Sequence, residues 1–278
     1  MGPSSVMFGS DDHSFATASF MDSLPWAVLA IVALLVLTYV ASRIANKHSV
    51  IDIAWGLLFC SAALAAFVCS SGSGNSGRRW LLLAMVLIWG LRLAIHIGRR
   101  SVGKGEDPRY EEMLADRGPI QTIAVIYGLQ GILAFLVSAP VLVGMFERGP
   151  LTPLAWAGLA LWLVGLFFEA VGDWQMEEFK AAKAREELPQ NAVMDRGLWK
   201  YTRHPNYFGD ACVWIGIFLV AAERWPGVLT IFSPAIMIYL LAFGSGKRIL
   251  ERSMSRRPGY REYMSRTSGF VPLPVRRQ

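Results

Sequence analysis

The sequence predicts an all-α, polytopic membrane helix bundle of seven transmembrane helices, with the N-terminus outside and the C-terminus cytoplasmic. Three observations lead there. Apolar residues make up 54% of the 278 and gather in long uncharged runs, which a soluble domain of this length does not need. Seven such runs stand out, at roughly 24–41, 50–69, 80–98, 120–146, 151–172, 211–222 and 227–244, the sixth being short. The loops after the first, third and fifth runs, with the C-terminal tail, hold 22 of the 27 Lys and Arg, and this asymmetry sets the orientation.

The net charge of +6 is thereby concentrated on one face, suited to anionic headgroups or a phosphorylated ligand; cations set against a membrane make nucleic acid a poor partner. Residues 1–23 carry Asp11, Asp12 and Asp22 but no Lys or Arg, so they read as a flexible leader and not a signal peptide. Residues 24–278 read as one integral-membrane domain, and a bacterial inner membrane is the expected location. Cys60, Cys69 and Cys212 fall in or beside apolar runs without a CxxC or Cys/His cluster, so no disulfide framework or metal site is expected.

Run one is lipid-facing wall. Run two opens His48-Ser49-Val50-Ile51-Asp52, where Ser49 and Asp52 have the spacing of a capping box. An acid just inside an apolar span also points inward to a site, and Trp55 shares its face. Run three carries Trp89, Arg92, His96 and Arg99 on one stripe, with Arg92 facing Asp52 or an anionic ligand. The loop that follows, from Arg100 through Gly103, Gly105 and Arg109 to Tyr110, is Gly-rich and basic but holds no nucleotide fingerprint. Run five places Glu169, Asp173 and Glu177 at four-residue intervals. Three carboxylates on one face need cations or hydroxyls opposite.

The stretch from Arg196 to Asp210 combines cations, rings, an amide and a carboxylate at the mouth of run six: Arg196, Lys200, Tyr201, Arg203, His204, Asn206 and Asp210. Pro205 suits a first helical turn, which puts Asn206 and Asp210 on one face. In the tail, Arg248, Arg252 and Arg256 recur every four residues, a pattern for phosphates or for anionic lipid. Tyr260, Tyr263 and Arg266 follow, and Gly269 to Pro274 reads as a tail folded back onto the bundle.

Taken together, Gly197 through Asp210, Asp52-Ile53-Ala54-Trp55-Gly56, Trp89-Gly90-Leu91-Arg92-Leu93 and Arg257-Pro258-Gly259-Tyr260 resemble the steroid 5-alpha-reductase family of integral-membrane reductases, in its bacterial branch, from about Val50 to Pro272. The resemblance implies seven helices and NADPH-dependent reduction of the carbon–carbon double bond of a 3-oxo-Δ4 steroid or similar enone lipid. It divides the reductase domain into substrate-side helices, 24–146, and a cofactor-binding half, 151–278. It places Asp52 where the family has a catalytic Glu, and Trp89 where vertebrate members have a catalytic Tyr. Trp89 cannot release a proton, so His96, Tyr110 or water is left as donor. Glu169, Asp173, Lys180, Asn206, Asp210, Arg248 and Arg252 fall around the cofactor. Trp55, Arg92, Arg99, Arg109, Arg196, Tyr201, Arg203, His204 and Tyr263 join that set.

The expected chemistry has a protonated Asp52 hydrogen-bonded to the ketone while hydride reaches the β-carbon. The Arg203-His204-Pro205-Asn206-Tyr207 core is also similar to that of the isoprenylcysteine carboxyl methyltransferases, which bind S-adenosylmethionine. The three-arginine tail favours a multiply phosphorylated nucleotide. A transport bundle is the weakest reading, because no inverted repeat is evident. Besides the enone substrate and membrane lipids, no obligate protein partner is expected.

Overall fold

The computed structural model describes residues 15–114, 116–244 and 246–275. The described residues form helices and turns without a strand; a single parallel bridge joins Thr202 to Ser268. Five helices are long and apolar enough to cross a membrane: α1 (Thr17–Ala45), α2 (Val50–Cys69), α3 (Ser76–Ser101), α5 (Pro119–Val137) and α7 (Pro153–Ala184). The protein is thus a multi-pass membrane protein. Two shorter apolar helices, α8 (Pro205–Ala221) and α9 (Gly227–Ala242), occupy the sixth and seventh runs. Among the described residues four short α-helices, α4 (Pro108–Leu114), α6 (Ala139–Gly144), α10 (Lys247–Met254) and α11 (Tyr260–Arg266), and a 3-10 helix at Gly197–Lys200 complete the set.

Three boundaries differ from expectation, each for a physical reason. The leader was expected to run through residue 23, yet α1 begins at Thr17; residues 1–14 lie outside the described residues. Packing orders this start: Phe20 sits between Phe15 and Phe146, and the Ala16 N–H donates to the Phe146 carbonyl. The fourth run, 120–146, is not one helix. It breaks at Ser138, because Pro140 has no N–H for the ladder. Lastly, the capping box is not formed, and Ser49 makes no side-chain cap. Its place is taken by a distant carboxylate, Glu106.

The described chain divides into two compact units. The first runs to Ala155 and takes in Val220–Thr230; the second is Trp156–Leu219 with Ile231 onward.

In the first unit α2 and α3 approach closely at two glycines. A Cβ on Gly90 would lie 2.5 Å from Cys60 Sγ and 2.6 Å from the Gly56 carbonyl oxygen, so only hydrogen fits there. One end of this unit holds a fully buried ion pair between Arg78 and Glu223. Arg78 also donates to the carbonyls of Gly149 (2.9 Å) and Pro150 (3.2 Å), while Glu223 accepts from the N–H of Thr152 (2.6 Å) and of Ala155 (3.0 Å). Glu223 therefore caps the exposed N–H groups at the start of α7. In the second unit α7 and α8 meet in the same way, since a Cβ on Gly165 would lie 2.5 Å from the Gly209 carbonyl oxygen.

Candidate functional site

The first unit builds its polar cluster at the start of α2. Asp52 lies in the first turn, and both of its oxygens accept hydrogen bonds: Oδ1 from the Tyr110 hydroxyl at 2.6 Å, Oδ2 from Arg109 Nη2 at 3.0 Å. Both donors come from α4. That helix starts because Asp107 caps it: its side chain accepts from the Arg109 N–H at 2.9 Å, its carbonyl accepts from Tyr110, and Pro108 fills the first helical position. Arg109 also binds Asp107 (2.8 Å), so one guanidinium spans two carboxylates. The Tyr110 ring is buried against Ile51, Ala54, Ile126 and Tyr127, with Leu35, Tyr39 and Leu114 around them. Burial, and next the Asp52 charge, push the Tyr110 phenol well above its ordinary range. Tyr110 thus keeps its proton and Asp52 is the acceptor. Beside it the His48 imidazole Nδ1 lies 3.1 Å from the Tyr127 hydroxyl.

The loop before α4 is fastened to the same end of α2. Glu106 accepts from the backbone N–H groups of His48, Ser49 (2.9 Å) and its neighbour Asp107 (3.0 Å). Burial alone would raise the Glu106 carboxyl, but these hydrogen bonds outweigh it and hold the group below the ordinary carboxylate range. Lys47 reaches the carbonyls of Ser101 and Lys104, both at 3.3 Å.

The other candidates in this unit lie deeper along α2 and α3. Trp89 is fully buried and meets Phe59 edge-on at 5.5 Å, and Trp55 meets the same ring at 5.0 Å. Arg92 and His96 are half-buried on α3, and Arg99 is exposed. The structure therefore joins Asp52, Arg109 and Tyr110 in one hydrogen-bonded group, while Trp89 belongs to an aromatic core.

The second unit gathers its candidates around the stretch from Arg196 to Asp210. Trp199 Nε1 donates to the Gly172 carbonyl (3.0 Å), and Gln175 accepts from the Leu198 N–H (2.9 Å), so the stretch lies against α7. On α7, Glu169 and Asp173 are buried, Lys180 is exposed, and Asn206 donates to Asp173 at 3.3 Å. Asp210 is half-buried on α8 and Tyr201 is exposed.

Arg203 and His204 hold the tail. Arg203 donates to Glu251 (2.8 Å) and to the carbonyls of Met264 (3.0 Å) and Thr267 (2.5 Å). His204 Nε2 lies 3.1 Å from the same Glu251 oxygen and, facing a carboxylate, carries the proton there. Burial lowers the His204 pKa against the pull of Glu251. Burial opposes Glu251 as well, but hydrogen bonds from His204 and Arg203 hold its carboxyl at about 2. Tyr263 donates to the Trp199 carbonyl (2.5 Å), Thr202 Oγ1 to that of Phe270 (2.8 Å), and the Leu273 N–H to that of Tyr201 (3.0 Å). The tail is thus folded back onto the stretch, as its composition predicts.

A model of the DUF1295 family, described as a protein of unknown function, matches residues 38–267. The chain belongs to this family. An uncharacterized protein of Schizosaccharomyces pombe is 23% identical over 253 residues, covering 82% of this chain and 73% of that protein. The family match contains every candidate site residue, including all of the Asp52–Arg109–Tyr110 group and the Arg203–His204–Glu251 latch.

The remaining cations of the second unit stay outside these internal pairs. Arg196 and Lys200 line a hollow of about 380 Å³ with Asp195, Arg266 and Thr267, where Arg266 is paired to Asp195 at 2.6 Å. Arg248 and Arg252 are exposed on α10, and no acid pairs with either among the described residues. Guanidinium and ammonium groups of this kind are donors suited to phosphate oxygens. Glu106 and Glu251 are acids of these two groups that the sequence reading did not place in a site. An acid immediately before an Asp-Pro helix start was the one local signal for Glu106.

Proposed function

We propose that this protein is an NADPH-dependent reductase of the carbon–carbon double bond of a 3-oxo-Δ4 steroid or similar enone lipid, as its resemblance to the steroid 5-alpha-reductase family implies. The supporting observation is the 2.6 Å hydrogen bond from Tyr110 to Asp52 at the first turn of an apolar helix, an acid–phenol pair suited to a carbonyl oxygen. In this reading the chain crosses the membrane seven times, with its N-terminus outside and its C-terminus cytoplasmic. In the same reading Asp52, Arg109 and Tyr110 are the groups for the carbonyl, and Arg196, Lys200, Arg248, Arg252, Asp173 and Asn206 are those for the nucleotide.

NADPH, when bound, supplies the hydride that the β-carbon receives. Tyr110 turns its proton from Asp52 to the ketone oxygen, where negative charge develops as the double bond is lost. Arg109 stays on Asp52 and keeps that carboxylate from competing for the phenol. The α-carbon then takes its proton from water while the enol hydroxyl returns its proton to the Tyr110 oxygen, so the net gain is one hydride and one proton. The role of donor to the ketone, assigned to Asp52 by the sequence, passes here to Tyr110.

The test is ligand stabilisation of the purified protein in mild detergent. A ligand at a hundred times its Kd stabilises by about 2.7 kcal/mol. NADPH is expected to raise the melting temperature more than NADH, and S-adenosylmethionine to leave it unchanged. Stabilisation by S-adenosylmethionine alone would replace this reading with the methyltransferase one.

A further inference from the structure

Glu106 lies in none of the sequence motifs, yet its carboxylate joins two elements that the proposed chemistry needs in register. Three backbone N–H groups point at it: those of His48 and Ser49 from the open N-terminal end of α2, and that of Asp107 from the start of α4. A helix start leaves such donors without internal partners, and a carboxylate there is also favoured by the helix dipole. One residue further on, Asp107 caps α4 and holds Arg109. Three residues later, Tyr110 reaches back to Asp52, in the first turn of the helix whose start Glu106 adjoins. The segment between α3 and α4 carries Gly103 at φ +70° and Gly105, and a Cβ added at either would meet nothing within 4 Å. Without Glu106 the segment keeps only Lys47 on two of its carbonyls, while α4 keeps the Asp52 contacts and the packing of Tyr110 against Ile51 and Ala54.

We propose that Glu106 is a positioning residue for the Asp52–Tyr110 pair: seated on the N–H groups of His48 and Ser49, just ahead of α2, it fixes the loop from which Tyr110 reaches Asp52. This rests on the reductase reading for its kinetic consequence but not for its structural one. Glu106 touches no reacting atom, and its effect passes through Tyr110.

The experiment compares wild type, Glu106→Ala, Glu106→Gln, Tyr110→Phe and Glu106→Ala/Tyr110→Phe as full chains in lipid nanodiscs. Misplacing a catalytic group by about 1 Å costs on the order of a hundredfold, so Glu106→Ala is expected to lower kcat by about 10- to 100-fold with NADPH affinity unchanged. In the Tyr110→Phe background the same change should cost less than about twofold, since the group it positions is already gone. Glu106→Gln, which keeps one acceptor oxygen, should recover part of the loss. Equal losses in both backgrounds, or weakened NADPH binding, would overturn the proposal.

A second readout needs no turnover. With 3-fluorotyrosine at position 110, the ¹⁹F resonance of the wild type is expected to titrate well above the free amino acid, and Glu106→Ala to bring it back toward the free value. An unchanged titration in Glu106→Ala overturns the positioning role. A wild type that holds Tyr110 in this way but reduces no enone overturns the reductase reading instead.

Discussion

Replacing Tyr110 with Phe removes one oxygen and separates folding from chemistry. The ring keeps its contacts with Ile51, Ala54, Ile126 and Tyr127, so no cavity opens. What is lost is a 2.6 Å hydrogen bond to a carboxylate, worth about 1.5–3 kcal/mol. Asp52 retains Arg109 at 3.0 Å, which places the stability cost near the low end, at about 1.5 kcal/mol. The kinetic cost is of another size. A positioned proton donor contributes about 10²- to 10⁴-fold, or about 3–5 kcal/mol of barrier. Tyr110→Phe should therefore melt only slightly earlier, bind NADPH as before, and lose at least about a hundredfold in kcat for an enone. Loss of NADPH absorbance in the presence of enone measures the rate, and ligand-induced melting shifts measure the binding. A kcat within about threefold of wild type, in a protein that turns over enones, would remove Tyr110 from the donor role.

Two further outcomes follow from the polar networks. Glu223→Ala leaves Arg78 buried without its carboxylate and the start of α7 without its cap, so unfolding in mixed micelles should become easier by about 3–5 kcal/mol; a change below about 1 kcal/mol would contradict the burial of that pair. Glu251, held at about 2 against an ordinary value of 4.5, binds the tail fully above pH 4.5 and loses that contribution as pH falls toward 2. Hydrogen exchange of Tyr260–Arg266, corrected for its intrinsic pH dependence, should speed up across that window in wild type and already be fast at pH 7 in Glu251→Gln; flat wild-type protection down to pH 2 rules the latch out.

The apolar helices were legible in the sequence because a membrane-spanning helix announces itself by length and composition alone. The returning tail was legible too, since an apolar, proline-containing end after a basic segment needs something to cover it. What stayed hidden are contacts between polar groups distant in sequence. Glu106 and the N–H of Ser49 are 57 residues apart, and Arg78 and Glu223 are 145 apart. Nothing in the local pattern of either member distinguishes a cap or a buried partner from a solvated charge. Arg203 shows the same limit from the other side. Its neighbours read as a ligand site, yet its guanidinium is taken up by Glu251 and by two backbone carbonyls more than sixty residues on. Ser138 was obscured differently: apolar residues flank it on both sides, so composition hid the interruption that Pro140 imposes.

The engagement of Arg203 with Met264 and Thr267 also sets an order of assembly. Synthesis proceeds from the N-terminus, so the segment bearing Arg203 enters its place while its acceptors are still unmade. A guanidinium in that position stays hydrated until Met264 and Thr267 have been made, and the second unit reaches its final form only once they arrive. A stop codon upstream of Glu251 would then spare all the long apolar helices and yet strand this cation, giving a protein that inserts normally and never matures.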